Sequence, residues 1–439
     1  MPAWPDYRAV WRWHFYAGLF CIPLVCWLAC SGAAYLFRPQ IEHWLDEPYA
    51  HLVGSAEVTA QPSSVVRAAL AAFPGARLHA YQLPATADAA PQLLIGRGDD
   101  EWRVWVHPVT LSILKAVPED DRLMNLVFHL HGELLLGDRG SMLVELAASW
   151  AIIMVLTGIY LWWPRRTGGL AGVLYPRLWT GRRIFWRDLH AVSGLWMTLP
   201  VLFLLVSGLP WAANWGAYLD AARQLAGQVS NERDWAAGSS APPAMPMVTN
   251  RKLTDRDYLA VDRVVPGALA LRFDWPVIVS PQADPIDAWT VRSNTQNRPR
   301  RETATIDGET GALLSRQGFS SRDTLDRIVD VGVAAHEGQL FGWPNQLLGL
   351  LTAALLLLAS VSAAIHWWQR RPSGVLGAPV PNARPRFAPL LVLTAVVLGM
   401  LLPLFGTSLL IVVAVERLVL IRLPRLSRWL GLRAAGHSG

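Results

Sequence analysis

The chain has 439 residues, 52% of them hydrophobic, with a mean hydropathy of +0.27 and a formal net charge of +6. Its long apolar runs exclude an ordinary soluble globular fold, because about 20 consecutive apolar residues are what a bilayer core demands. Basic residues cluster in short stretches beside those runs with no contiguous stripe for nucleic acid, and Cys21, Cys26 and Cys30 share one apolar run, which leaves neither a disulfide framework nor a C-x-x-C-H haem attachment.

Segment 8–38 carries the first predicted span, "FYAGLFCIPLVCWLACSGAAYLF". Segment 39–126 reads as an outer α+β module: a helix in "PSSVVRAALAAFPG", then strands in "ARLHAYQLP", "PQLLIGR" and "EWRVWVHPVTLSIL". Segment 127–163 is a surface helix followed by a second span over 142–163. An arginine-rich loop, 164–186, leads to a third span within 187–211. Segment 212–330 reads as a second outer module ending in "ATIDGETGALL", and 331–368 as another surface helix and a fourth span. A short loop, 369–386, precedes the apolar stretch 387–421. That stretch is too long for one span and is broken at Pro403–Gly406, so it reads as a hairpin of two. A basic tail, 422–439, closes the chain.

Short loops rich in Lys and Arg stay cytoplasmic. Arg165, Arg166, Arg177, Arg182 and Arg183 follow the second span, Arg370, Arg371, Arg384 and Arg386 follow the fourth, and Arg422, Arg425, Arg428 and Arg433 close the chain. With six spans, both termini lie in the cytoplasm and both modules outside. The tryptophans in "WRW" (11–13) and "WW" (162–163 and 367–368) fit interfacial belts.

The chain repeats itself. "HFYAGL" at 14–19 matches "HAVSGL" at 190–195, and "SG" recurs seventeen residues after each histidine, at Ser31-Gly32 and Ser207-Gly208. "HGELLLG" from His131 matches "HEGQLFG" from His336, and in each case 31 residues lead to a Trp pair followed by two arginines. Both halves start and finish on the same side, so the fold class expected is a membrane all-α bundle of two parallel-topology repeats, carrying two extracytoplasmic α+β modules.

Equivalent residues then sit at equal depth, which pairs His14 with His190 near one face and His131 with His336 near the other. Two facing neutral imidazoles suit a haem iron, and without C-x-x-C-H the haem would be b-type. Gly18, Gly32, Gly158, Gly194 and Gly208 could give a flat macrocycle room. Against this stands the ordinary reading of a histidine at a helix end as an interfacial or capping residue, which recurrence in register outweighs. His129 faces Ala334 and lacks a counterpart, so it reads as a surface residue or a substitute for His131. His366 could be a third partner or a substitute ligand near the inner pair. His43, His51, His79, His107 and His437 read as solvated, and Trp105, Trp275, Trp289 and Trp343 as core or interface packing. No dinucleotide fingerprint, Walker loop, zinc spacing or nucleophile–base group stands out.

The core "WRWHFYAGLFCIPLVCWLACSGAAYLF", the H-x5-G ahead of the second span, "TGIYLWWPRR", and the module ends "VHPVTLSIL" and "IDGETGALL" resemble the PepSY-associated transmembrane family over roughly residues 8–371. Its better understood members are iron-regulated inner-membrane ferrisiderophore reductases containing haem. The resemblance implies PepSY-like outer modules and a multi-pass protein of the bacterial inner membrane. It also implies two haem b groups with His14, His190, His131 and His336 as bis-histidine ligands. The expected activity is transfer of electrons across the lipid bilayer from a cytoplasmic flavoprotein, flavin or quinol donor to a ferric siderophore or other ferric chelate outside. Arg165, Arg166, Arg182, Arg183 and Arg187 fix topology or dock an acidic donor. The first module departs from the family pattern with His107 and Leu111 where the second has Asp307 and Gly311, which speaks against a shared metal site at the module ends. The alternatives are a non-catalytic binding or transport accessory protein and a haem-binding sensor subunit.

Overall fold

A computed structural model describes residues 6–52, 59–98, 100–164, 169–225, 258–282, 287–379 and 389–432. Arg165, Arg166, Arg384, Arg386, Arg433 and His437 lie outside the described residues. Helix α1 (Tyr7–Tyr35) is followed by short α2 (Arg38–Asp46), then by α3 (Pro62–Ala72) and strands β1 (Arg77–Gln82), β2 (Gln92–Arg97), β3 (Asp100–Val106) and β4 (Ile113–Pro118). Helices α4 (Leu123–Glu133) and α5 (Asp138–Trp162) complete the first half. The second half runs in the same order: α6 (Arg182–Gly208), α7 (Ala213–Leu225), α8 (Val261–Ala270), β5 (Val277–Pro281), β6 (Ala288–Ser293), β7 (Thr303–Asp307), β8 (Leu313–Gln317), α9 (Thr324–His336) and α10 (Trp343–Arg370). Then come α11 (Pro389–Leu401), α12 (Pro403–Leu418) and α13 (Pro424–Trp429).

Among the described residues five helices are long and apolar enough to cross a membrane: Tyr7–Tyr35, Asp138–Trp162, Arg182–Trp211, Trp343–Arg370 and Pro403–Arg422. The protein is a multi-pass membrane protein. The 387–421 stretch does fold as a helical hairpin, because Pro403 cannot continue α11 and instead starts α12. Among the described residues only its second arm has the length of a span; α11 is described over 13 residues from Pro389.

The strands form one antiparallel sheet in the order β4-β3-β2-β1-β5-β6-β7-β8, so the two modules expected from the sequence share a single eight-stranded sheet. The seam is short: Tyr81 pairs with Val279 and Gln82 with Ile278, and the Leu83 amide donates to the Val277 carbonyl. The two module helices seal one face of the sheet. Val65, Val66 and Ala69 of α3 and Val261, Val264 and Ala268 of α8 join Leu78, Ile95, Val104, Val279, Val291 and Ile306 in one buried cluster. Ser63 reaches across to Asp262 with both its amide (2.8 Å) and its hydroxyl (2.6 Å), fixing α3 against α8.

"EWRVWVHPVTLSIL" is not one strand. It turns at 107–112, and the residues doing so explain the departure from the second module. His107 Nδ1 accepts from the amides of Val109 and Thr110 (3.1 and 3.2 Å), as Asp307 Oδ1 accepts from Glu309 and Thr310 (3.0 and 2.7 Å). Leu111 and Gly311 take the same left-handed backbone, φ 62° and 73°. His107 is therefore a turn residue. His79 is also not solvated: it is half-buried and meets Glu101 at 2.6 Å.

Each surface helix meets the following span at a glycine with positive φ, Gly137 (57°) before α5 and Gly342 (66°) before α10. The first junction is tight. A Cβ on Gly140 would lie 1.6 Å from the Glu133 carbonyl oxygen at the end of α4. Gly140→Ala is therefore expected to cost at least the ~1–3 kcal/mol of an overpacked site and to lower the thermal unfolding temperature in detergent; a wild-type midpoint would show that this contact is absent.

Candidate functional site

The four register histidines occupy two levels of the bundle. His14 of α1 and His190 of α6 face each other with ring centroids 6.2 Å apart and planes inclined at 64°. His14 Nδ1 lies 3.0 Å from Thr157 Oγ1, and the Thr157 proton is committed to the Ile153 carbonyl one turn back (2.8 Å). The hydroxyl can then only accept, so His14 carries its proton on Nδ1. His190 Nδ1 donates to the Ala359 carbonyl of α10 at 2.9 Å.

His131 and His336, at the ends of α4 and α9, both line a cavity of roughly 860 Å³ between the sheet and the ends of α1, α5, α6 and α10. His131 Nδ1 lies 2.9 Å from Ser31 Oγ, and His336 Nδ1 3.0 Å from Ser207 Oγ. Ser31 Oγ donates to the Trp27 carbonyl (2.9 Å) and Ser207 Oγ to that of Phe203 (2.7 Å), so both hydroxyls accept from Nδ1–H. Burial pushes both imidazoles down to about 4, His336 helped by the neighbouring His131, and both rings are neutral at pH 7.

All four rings thus have Nδ1 spent as a donor within their own half of the chain. Among the described residues, no hydrogen bond occupies Nε2 of any of them. A neutral imidazole fixed through Nδ1–H presents Nε2 as a directed lone pair, the tautomer and orientation that a metal ligand requires. The 6.2 Å between the His14 and His190 centroids accommodates one metal–nitrogen bond of about 2 Å on each side. Glycines stand against three of the rings. A Cβ on Gly158 would lie 3.3 Å from His14 Cε1, on Gly32 3.0 Å from His131 Cε1, and on Gly208 3.3 Å from His336 Cε1. Gly18 and Gly194 do not touch the histidines: Gly18 faces Met154, and Gly194 faces open space. The inner residues fit a bis-histidine haem, and at the outer level both imidazoles line one cavity in the tautomer a haem ligand needs.

The other histidines separate cleanly. His129 turns away to Glu133 (3.3 Å) while still lining the cavity. His366 lies two turns below Ala359 on α10, with Nδ1 buried and without a hydrogen-bond partner. His43 and His51 are exposed. Trp105 and Trp289 are core residues, whereas Trp275 lines the cavity and Trp343 is exposed. Within the Trp pairs the roles differ. Trp162 and Trp367 clamp the following loops by donating to the carbonyls of Val173 (3.0 Å) and Leu376 (2.8 Å), while Trp163 and Trp368 stay exposed at 62% and 63%.

Sequence reasoning missed the polar walls of the cavity. Arg103 forks onto Glu119 with two bonds of 2.9 Å, and Arg122 adds a third at 3.0 Å. Arg298 lies over the Trp211 ring (5.6 Å), whose edge meets His336 at 6.1 Å. No spacing in the sequence signals these contacts, which form only when the sheet closes over the bundle.

Fold and site together define a class: a multi-pass membrane protein whose helices hold anchored imidazoles at two levels beneath an antiparallel sheet. The model of the family described as the PepSY-associated TM region matches residues 11–370, and the chain belongs to that family. A comparison with curated proteins finds no match.

The cavity wall gives a pH signature. Burial alone would raise the Glu119 carboxyl, but Arg103 and Arg122 outweigh it and hold it at about 2, below the ordinary 4.5. A depressed carboxylate contributes its full stability above the unfolded value and loses it as pH falls from about 4.5 towards 2. Glu119→Gln is expected to remove that part of the acid slope in thermal unfolding, and to cost about 3–5 kcal/mol at neutral pH by stranding Arg103. An unchanged slope would refute this account of the pair.

Proposed function

We propose that the protein is a di-haem b oxidoreductase of the bacterial inner membrane that passes electrons across the bilayer to reduce a ferric siderophore or other ferric chelate on the periplasmic side. The observation that carries this reading is the two-level set of imidazoles, each tied through Nδ1 and free at Nε2. When bound, haem supplies one-electron Fe(III)/Fe(II) chemistry.

The protein's own residues do the rest. His14 and His190 would hold one haem near the arginine-rich face, and His131 and His336 the other at the floor of the sheet-side cavity. Ser31, which anchors His131, is seventeen positions beyond His14 on α1, about 26 Å along the axis, so the levels lie close to opposite faces of a ~30 Å hydrocarbon core. The cavity of roughly 860 Å³ is large enough for a bulky chelate beside the outer pair. Reduction weakens the hold of hard oxygen donors on iron, and a single-electron step needs no acid–base pair. Arginine-rich loops on the cytoplasmic side place both termini inside, with a flavoprotein, flavin or quinol as donor. The mirrored strand order and matching element order support two parallel-topology repeats with PepSY-like modules.

The reading is tested by the absorbance spectrum of protein purified from haem-replete cells, where reduced b-type bands are expected and a colourless preparation would sink it. His131→Ala and His336→Ala should each remove one half of the haem, and His14→Ala and His190→Ala the other half. Dithionite-reduced protein should be reoxidised faster by ferric chelates than in buffer alone; an unchanged rate would leave a haem protein without reductase activity.

A further inference from the structure

Below the inner histidine pair, α6 and α10 carry cations down towards the arginine-rich face. On α6, Arg187 and Arg183 stand three and seven residues before His190; on α10, His366 and Arg370 stand seven and eleven residues after Ala359, whose carbonyl anchors His190. These spacings put each set on one helix face, stepping about 5 to 16 Å away from the ring. The two faces meet: Arg183 Nη2 donates to the Gln369 carbonyl (3.4 Å), the charges of Arg183 and Arg370 oppose each other, and His366 feels His190, Arg187 and Arg370. Arg370 is held in place over Trp11 and Phe15, 5.1 and 5.8 Å from their centroids.

What this cluster lacks is counter-charge. Asp188 is committed to Arg177 and Arg187, both at 2.7 Å. Among the described residues no carboxylate pairs with Arg183 or Arg370, and the sequence contains no Asp or Glu between Glu145 and Asp188, between Glu337 and Glu416, or after Glu416. Topology accounts for arginines on this face. It does not account for two of them converging with a histidine of unsatisfied Nδ1 directly beneath a ring pair.

We propose that Arg183 and Arg370, positioned by His366, form an oxyanion-binding site that takes carboxylate or phosphate oxygens at the inner end of the His14–His190 site. Guanidinium forks bind such groups bidentately, and the His366 ring, which bonds the Arg183 main chain, positions that arginine beside Arg370. Two sources share this chemistry. One is the pair of propionate carboxylates of a haem held by His14 and His190, and this source rests on the function proposed above; the other is a soluble phosphate group, such as that of a reductant arriving from this face.

The test compares full-length wild type, Arg183→Gln/Arg370→Gln, the charge-preserving Arg183→Lys/Arg370→Lys, His366→Asn, and Arg182→Gln as a control that removes an exposed charge from the same helix end. Optical redox titration reads the haem, and thermal unfolding with and without inorganic phosphate reads the anion. With propionates as the occupant, the double Gln variant shifts one of two haem midpoints to more negative potential, because lost cations no longer favour the reduced iron. The Lys variant recovers most of the shift, His366→Asn gives a smaller one, and the second midpoint stays put. With a soluble phosphate as the occupant, the midpoints hold, and phosphate raises the unfolding temperature of wild type but not of the double Gln variant. If neither quantity separates the double variant from wild type, or if Arg182→Gln reproduces its effects, the site does not exist. A haem-free preparation would defeat the proposed function, while the phosphate titration would still decide this site.

Discussion

An imidazole held inside a helix bundle has to place its Nδ1–H, and much of the architecture follows from how this is done. Ser31, Ser207 and Thr157 each give their own proton to a carbonyl one turn back on the same helix, which turns a hydroxyl into a pure acceptor. His190 reaches the same end through a main-chain carbonyl, that of Ala359 on α10. Each ring is anchored by its own half of the chain, whereas the faces that meet belong to opposite halves. Pairing therefore requires the halves to be held in register.

Two structures supply that register at the sheet end. The β1–β5 seam and the Ser63–Asp262 contact join the halves directly. Across the bundle, the Leu36 carbonyl at the end of α1 accepts from Gln339 and Gln346 of the second half (3.0 and 2.9 Å). α4, which carries His131, packs on α1 and α5, and α9, which carries His336, packs on α6. A shift of one half against the other would break main-chain pairing, the Leu36 bonds and the buried cluster together.

Much of the site was legible because membrane depth turns sequence spacing into geometry. The recurrence of His14 and Ser31 as His190 and Ser207 anticipated the facing inner rings, and that of His131 and Trp162 as His336 and Trp367 anticipated two histidines on one cavity. The anchoring role of the serines was on the page only as a recurring "SG", since a hydroxyl does not announce its acceptor. Other features were hidden by chemistry or by distance along the chain. His107 looks nothing like Asp307, yet a ring nitrogen caps a turn as a carboxylate does, so one hairpin read as a single strand. The β1–β5 seam, the Arg103–Glu119 fork and the Arg298–Trp211–His336 stack join residues that no local pattern links. The hairpin at 387–421 was visible from Pro403.

The C-terminal extension beyond the family match breaks the equivalence of the halves. Leu402 and Phe405 pack against Trp150, Ile152 and Ile153 of α5 and against Leu202, Leu205 and Leu209 at the end of α6. The Trp150 ring meets Phe405 at 4.9 Å and donates to Ser408 at 3.0 Å, and Trp215 donates to the Leu401 carbonyl at 3.0 Å. At the arginine-rich face Arg12 donates to the carbonyls of Pro379 and Gly431, and Tyr16 to that of Leu430. In each polar contact the core supplies the donor, and the extension offers main-chain carbonyls or one hydroxyl. The extension thus follows a surface the core already presents, with little sequence of its own required beyond apolar bulk and helix ends in the right place. Arg12 and Tyr16 flank His14 on α1, so the docked tail lies beside this histidine. His14 and His190, which recur in register, therefore stand in unequal surroundings: His14 beside a covered face, and His190 beside the cationic faces of α6 and α10.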